Sequence, residues 1–489
     1  MKYFSTRDES IRISAAQAIA KGLANDGGLF VPECLPRLSE TEISKLCTMD
    51  YRARAAHIMA MFLEDFSAEE LEKFVTAAYG NNFDHESIAP LSFVDDETAF
   101  LELWHGPTCA FKDMALQMLP HLLTASLKKT GEEKTVCILV ATSGDTGKAA
   151  LEGFADVEGT KIFVFYPKDG VSDIQRLQMV TQSGNNVGVC SVVGNFDDAQ
   201  TGVKKIFGDK DFAAALAEKG FFLSSANSIN WGRLLPQIVY YFSAYCDYVN
   251  SGRLEMGKKL DFCVPTGNFG NILAGWYAKE MGLPVGRLIC ASNRNNVLTD
   301  FIETGVYDKN RPFHTTISPS MDILVSSNLE RLLYAMAGSE KVRGYMGALS
   351  AVGCYKVEDA VKERLAADFG CGCCDDESTK ATIKRLFDEK HYLMDTHTAV
   401  AYKVLCDCRE EKGGKNPAVV VSTASPYKFA VDVLDALAVS NASEPLSALS
   451  ENTNTKIPAP LSGLDKRTVR FEDFTEKEGM RDAVEAFLR

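Results

Sequence analysis

Apolar positions follow two alternating patterns over most of this chain. Predominantly apolar runs at 136–141, 161–166, 187–193 and 221–224, each followed by polar or glycine-rich residues, have the length and composition of strands buried on both faces. Between them, 146–155, 174–181 and 197–207 carry apolar residues at helical spacing. A strand-like run at 99–103 precedes this series, and a longer helical stretch at 229–248 leads into further strands at 262–265, 287–291 and 418–422. Strand and helix in strict alternation predict an α/β fold with parallel sheets covered by helices, in two lobes with a ligand site between them. The first 92 residues read as mainly helical, with Ser39-Glu-Thr-Glu42 and Ser67-Ala-Glu-Glu70 as capping boxes. The tail from Asn441 is rich in Ser, Asn, Thr and Pro and reads as a surface wrap. The expected division is a helical region over 1–95, a large lobe from 96–130 and 230–440, a small lobe over 131–229, and the segment 441–489.

Four turns carry residues suited to chemistry. Leu103-Trp-His-Gly-Pro-Thr-Cys-Ala-Phe-Lys-Asp113 turns at Gly106 and Pro107, offers Thr108 as a helix cap, and continues into the apolar face Met114, Leu116, Met118 and Leu119. Lys112 therefore falls at the start of a helix, where the dipole disfavours a cation, and a lysine kept neutral is the kind that condenses with a carbonyl. Thr142-Ser-Gly-Asp-Thr-Gly147 and Pro265-Thr-Gly-Asn-Phe-Gly-Asn271 each join a strand to a helix, a place where backbone N–H groups hold anions. Ser422, Thr423 and Ser425 close a fourth strand at its carboxyl end, where such sheets bind ligands. A Walker loop fails on spacing, because Thr142 stands where its first glycine belongs and Ala149 follows Lys148; the dinucleotide glycine pattern is also absent. A lysine, a phosphate cradle and a hydroxyl pocket are what a pyridoxal 5′-phosphate (PLP) site needs.

Composition narrows the setting. With 489 residues the chain is too long for one core. Its 52 basic against 66 acidic residues give a net charge of −14, which disfavours nucleic acid and anionic membranes as partners and requires positive charge to be gathered locally if an anionic small molecule is to bind. The start Met1-Lys-Tyr-Phe-Ser-Thr-Arg has no apolar targeting core and no run is long enough to span a bilayer, so a cytoplasmic protein is expected. Most of the 14 cysteines lie in apolar runs and read as core thiols. Cys371, Cys373 and Cys374 are spaced compatibly with a zinc knuckle, but no second ligand pair accompanies them; they are read as a variable surface stretch leading into a helix at 380–389, and no metal is expected.

Taken in order, these motifs resemble the threonine synthase family, fold-type II PLP enzymes with a tryptophan synthase β-like architecture. The resemblance begins at Ser14-Ala-Ala-Gln and runs to Asp26-Gly-Gly-Leu-Phe-Val-Pro32. It continues through His105-Gly-Pro-Thr with Phe111-Lys112-Asp113, Thr142 to Gly147, Ser225-Ala-Asn-Ser-Ile-Asn230 with Arg233, Pro265 to Gly270, Ser320-Met-Asp-Ile323 and Ser422 to Pro426. The long amino-terminal extension is similar to that of the long-chain branch. The resemblance implies conversion of O-phospho-L-homoserine and water to L-threonine and phosphate. It further implies that Lys112 carries PLP, that Gly267, Asn268, Phe269, Gly270 and Asn271 cradle its phosphate, and that Thr423 faces its ring nitrogen. Ser143 and Asp145 would meet the cofactor or, with Thr142, the substrate carboxylate; Asn227, Ser228 and Arg233 would take the substrate phosphate. A fold-type II dehydratase or phospho-lyase forming 2-oxobutyrate would use the same lysine and cradle, and a non-catalytic binding protein would have no use for them. Monomer and homodimer are both open.

Overall fold

Strand Ala418–Ser422 lies inside a sheet that gathers three of the four turns at one edge. The computed structural model describes residues 1–414, 416–439 and 443–489. Among these, six strands run in the order Phe369–Cys373, Val285–Ser292, Leu260–Pro265, Ala418–Ser422, Thr98–Glu102, Leu91–Phe93, all parallel except the last, which pairs antiparallel with Thr98–Glu102. Five further strands form a second, wholly parallel sheet in the order Phe474–Thr475, Val187–Val192, Thr160–Pro167, Thr135–Ala141, Phe221–Ser224. Central strands such as Ala418–Ser422 and Leu260–Pro265 are buried along their whole length, as their continuous apolar runs require. Helix Trp231–Asn250 packs against the helices Glu40–Cys47, Tyr51–Ala60 and Gly270–Glu280, so the amino-terminal region shares one core with the larger sheet. No helix among the described residues is long and apolar enough to cross a membrane.

The amino-terminal helices start where their caps predict: Ser39 and Ser67 each accept from the third helical N–H and receive the Glu42 or Glu70 carboxylate on their own N–H. The region is not only helical, because Tyr3–Ser5 pairs antiparallel with Phe30–Pro32. The stretch 371–374 is at the surface at Cys373, which is exposed, but not at Cys371, which is buried. They belong to the edge strand Phe369–Cys373, whose Phe-Gly-Cys-Gly-Cys sequence lacks the β-branched residues that mark strands. Gly372 is required there, since a Cβ would come within 2.9 Å of Val404 on the covering helix. Among the described residues no cluster of His, Cys, Asp or Glu could hold a metal. The tail does more than wrap the surface: Phe474–Thr475 extends the second sheet, and helix Met480–Phe487 places Met480 and Val484 in its core. The expected start of that tail, at 441, lies outside the described residues.

Candidate active site

Parallel strands Thr98–Glu102, Leu260–Pro265 and Ala418–Ser422 end at the same edge, so the segments that follow them meet. Leu103 donates its N–H to the Ser422 carbonyl at 3.0 Å, Phe111 to the Thr423 carbonyl at 2.8 Å, and Ser425 to the Cys109 carbonyl at 3.0 Å. These bonds fix the backbone on either side of Lys112. The helix itself begins at Asp113, with Lys112 in the capping position, and Thr108 does not cap it as an acceptor. Instead the Thr108 N–H and hydroxyl donate to the buried Asp113 carboxylate at 2.8 and 2.6 Å, drawing the turn closed. Burial raises the Asp113 carboxyl to about 6, opposed by those two bonds and by nearby Lys428.

Lys112 keeps an opening to solvent but is ringed by protein densely enough that burial lowers its amine to about 8, with Asp145 opposing the shift and Arg233 and Lys428 adding to it. Its amine has no hydrogen bond or ion pair among the described residues; the Phe111 ring centroid is 4.9 Å away. At about 8 a substantial fraction is neutral near pH 7.5, as nucleophilic and basic work requires.

Three loops around this amine present unused N–H groups, each at a helix start. Those of Gly267, Asn268, Phe269, Gly270 and Asn271 meet no protein acceptor among the described residues. The carbonyls of the same loop are pulled the other way, Gly267 accepting from the Ser326 hydroxyl at 2.7 Å and Asn268 from the Asn328 N–H and amide at 3.1 Å each. Gly267 passes so close to the Ser320 carbonyl oxygen that a Cβ would lie 2.6 Å from it, and Phe269 takes a left-handed φ of 62°. Asn271 accepts the Tyr240 and Tyr241 hydroxyls on Oδ1 at 2.6 and 2.8 Å, and its buried Nδ2 has no partner among the described residues. A row of free donors ahead of helix Gly270–Glu280 is the chemistry of a phosphate site.

In the second loop, the Thr142 hydroxyl accepts from the Gly144 and Gly147 N–H groups at 3.0 and 2.9 Å, while the N–H groups of Ser143, Asp145 and Thr146 meet no acceptor among the described residues. The third is 225–230, where the Ser228 and Ile229 N–H groups are unused and Asn230 caps helix Trp231–Asn250. Asn227 donates its N–H to the Ser225 hydroxyl at 3.2 Å. Arg233, in the first turn of that helix, is only 4% exposed. Its Nη1 donates to the Ala226 carbonyl at 2.7 Å, its Nε has no partner among the described residues, and burial unrelieved by any carboxylate among them lowers it to about 10. A buried guanidinium left unpaired is costly unless an anion completes it.

Asn328 and Arg331 tie the first and third loops together. Asn328 Nδ2 reaches both the Ser228 hydroxyl and the Asn268 carbonyl at 3.1 Å, and Arg331 grips Asn328 Oδ1 at 2.5 Å and the Ile229 carbonyl at 2.6 Å. Asn328→Ala should therefore weaken both loops at once. Anion affinity at each of the two loops should worsen by about fivefold or more, measured by titration with phosphate-bearing ligands.

In the sequence Asp145 stands between two roles and Lys428 has none. In the structure these two form a buried ion pair of 2.7 Å, at 3% and 0% side-chain exposure, and Gln175 donates to the same carboxylate oxygen at 2.9 Å. Burial alone would raise Asp145, but Lys428 and Lys112 together hold it far below the usual carboxylate range. The signal for Lys428 was a lysine inside the otherwise apolar Pro426-Tyr-Lys-Phe-Ala430. Of the strand-end hydroxyls, Ser422 accepts from Trp104 Nε1 and Thr398, and Ser425 caps a short helix, whereas the Thr423 hydroxyl has no protein partner among the described residues. A desolvated lysine, a free-donor cradle and a free hydroxyl fit PLP.

The family model described as pyridoxal-phosphate dependent enzyme matches residues 98–425, and those for the threonine synthase N terminus and C-terminal part match 2–79 and 398–487. The chain belongs to the threonine synthase family. Threonine synthase of Pseudomonas aeruginosa is 41% identical over 88% of this chain and 89% of its own length. Human threonine synthase-like 1 is 42% identical over 88% of this chain, which spans about three fifths (59%) of that relative's length. PLP-bound threonine synthase from Brucella melitensis superposes with a TM-score of 0.89 at 37% identity, covering both chains completely. The yeast threonine synthase structure gives 0.90 at 35%, covering 100% of this chain and 98% of that one. The fold is thus that of a fold-type II PLP enzyme, and PLP is the family's cofactor.

Proposed function

We propose that this chain converts O-phospho-L-homoserine and water to L-threonine and phosphate. The observation that carries this reading is Arg233: a buried guanidinium without a carboxylate, at a loop of free N–H groups distinct from the 267–271 cradle, and close enough to influence Lys112. One amine between two anion sites suits a phosphorylated cofactor and a phosphorylated substrate held together.

Bound PLP would supply the electron sink that makes the substrate's Cα and Cβ protons removable. Residues 267–271 would hold its phosphate, and the neutral Thr423 hydroxyl would face its ring nitrogen without forcing protonation, a setting that favours elimination and replacement over transamination. The N–H groups of Ser143, Asp145 and Thr146 would take the substrate carboxylate. Asn227, Ser228 and Arg233 would fix the substrate phosphate and stabilise its departure from Cγ. Lys112, once free, would lift the Cα and Cβ protons in turn and return one at Cγ and one at Cα, while water gives its OH to Cβ and its remaining proton to the departing phosphate; an amine of about 8 can both accept and release protons near neutrality.

Incubation of purified protein with O-phospho-L-homoserine should release phosphate and threonine in equal amounts. Phosphate with 2-oxobutyrate instead would identify a phospho-lyase, and neither product would reject the reading. The amine also predicts a pH dependence. Neutral Lys112 is the form that attacks an aldehyde, and its value lies near 8 rather than 10.5. The rate of PLP uptake by the cofactor-free chain should therefore climb about tenfold per pH unit below 8 and level off above it, followed by stopped-flow absorbance. A climb continuing unbroken to pH 10 would contradict the assignment of an activated lysine.

A further inference from the structure

Two lysines approach one carboxylate in this site. Asp145 begins the helix after strand Thr135–Ala141 of the second sheet, and Lys428 follows strand Ala418–Ser422 of the first, so their 2.7 Å contact spans the two sheets. Lys428 is fully buried and its amine also donates to the Thr108 carbonyl at 3.0 Å, in the turn that leads to Lys112. Gln175 and Gln178, on helix Asp173–Val180, donate to Asp145 and to that same Thr108 carbonyl at 2.9 and 3.3 Å. Lys112 is the other cation that acts on Asp145, yet it makes no ion pair. A carboxylate in a desolvated site binds whichever ammonium reaches it, and an ammonium held that way is neither a nucleophile nor a base.

We propose that Lys428 is a positioning residue that occupies the Asp145 carboxylate and so keeps it from capturing Lys112 in an ion pair. The idea rests on Lys112 as the working amine of the proposed function. It also gives Asp145 a role: a fixed negative charge neutralised from the opposite sheet. The charged groups acting on Lys112 are Asp145, Arg233 and Lys428; Arg233 and Lys428 both oppose its protonation, and Asp145 alone favours it. Without Lys428 the balance reverses, because one opposing cation is lost and the carboxylate is released to Lys112.

The test is the proton affinity of Lys112 itself, read on the full-length chain freed of cofactor. Trace acetylation with acetic anhydride from pH 6 to 10, with each lysine quantified by mass spectrometry, gives a labelling midpoint for Lys112 against exposed lysines as internal standards. In the unaltered chain that midpoint should lie near 8. Lys428→Met should move it up by about one pH unit or more, a tenfold loss of neutral amine at neutral pH. Asp145→Asn should move it down, since Lys428 is then an unpaired cation beside Lys112. The double variant, which removes both charges, should return close to the unaltered midpoint. A Lys428→Met midpoint that does not move overturns the proposal, as does an upward shift in Asp145→Asn. Should Lys428→Met fail to fold, Asp145→Asn decides alone. Failure of the PLP reading itself would appear elsewhere, as a borohydride-fixed adduct on a residue other than Lys112.

Discussion

Lys112→Ala should fold normally and form threonine at least about a thousandfold more slowly than the unaltered chain, because the proposed cofactor attachment point and the proton carrier are lost together. Folding should survive because the amine makes no hydrogen bond or ion pair among the described residues, so alanine strands no partner there. Burial already works against the charged amine, and removing it relieves that cost. Borohydride treatment of the PLP-loaded chain should fix the cofactor on the peptide containing Lys112, and mass spectrometry of the variant should find that adduct missing. The sharpest alternative outcome is an adduct on Lys428, the other buried lysine of the site, which would exchange the two roles assigned above. Lys148 is also buried, but its amine is spent on Glu152 at 2.7 Å and on Gln182.

How much of this was legible depended on whether a residue's partner lay close in sequence. The strands at 136–141, 161–166, 262–265 and 418–422 declare themselves because burial on both faces demands predominantly apolar runs. The loops at 142–147 and 266–271 stand out because a strand end, a glycine-rich turn and a helix start are consecutive. Strand Phe369–Cys373 was hidden: Gly372 serves close packing against Val404 of helix Thr396–Lys412, which local propensity does not register. Strand Phe474–Thr475 is two residues long and exists only because Val187–Val192 offers an edge. Long-range polar contacts were equally silent. Nothing near Asn328 in the sequence reveals that it bridges Ser228 and Asn268, and nothing near Asp145 reveals that Lys428 neutralises it. Thr108 shows the same limit at short range, since a hydroxyl before a helix suggests a cap, and the buried Asp113 carboxylate made it a donor instead.

Arg233→Met should separate function from stability in opposite directions. If the guanidinium completes the substrate-phosphate site, its loss removes a charge-assisted contact of about 2 kcal/mol, roughly a 30-fold fall in kcat/KM for O-phospho-L-homoserine. Most of that fall should appear in KM if phosphate is gripped equally before and during its departure, and in kcat if the grip tightens as the bond breaks. Cofactor affinity should hardly change, because the proposed 267–271 cradle would hold the cofactor phosphate by backbone N–H groups and Asn271 rather than by Arg233. Without ligand, the variant should be the more stable chain. Arg233 is nearly fully buried, its Nε is unpartnered among the described residues and burial alone depresses its ionisation, so the folded state bears a desolvation cost that the one bond to the Ala226 carbonyl does not offset and that a methionine, reaching about as far as Nε, does not carry. Thermal unfolding without ligand should therefore occur at a higher temperature in Arg233→Met. Added inorganic phosphate should stabilise the unaltered chain far more than the variant, since only the former gains a partner for its buried charge. Equal stabilisation of both chains by phosphate would show that the anion binds only at the 267–271 cradle, and would remove Arg233 from the substrate site.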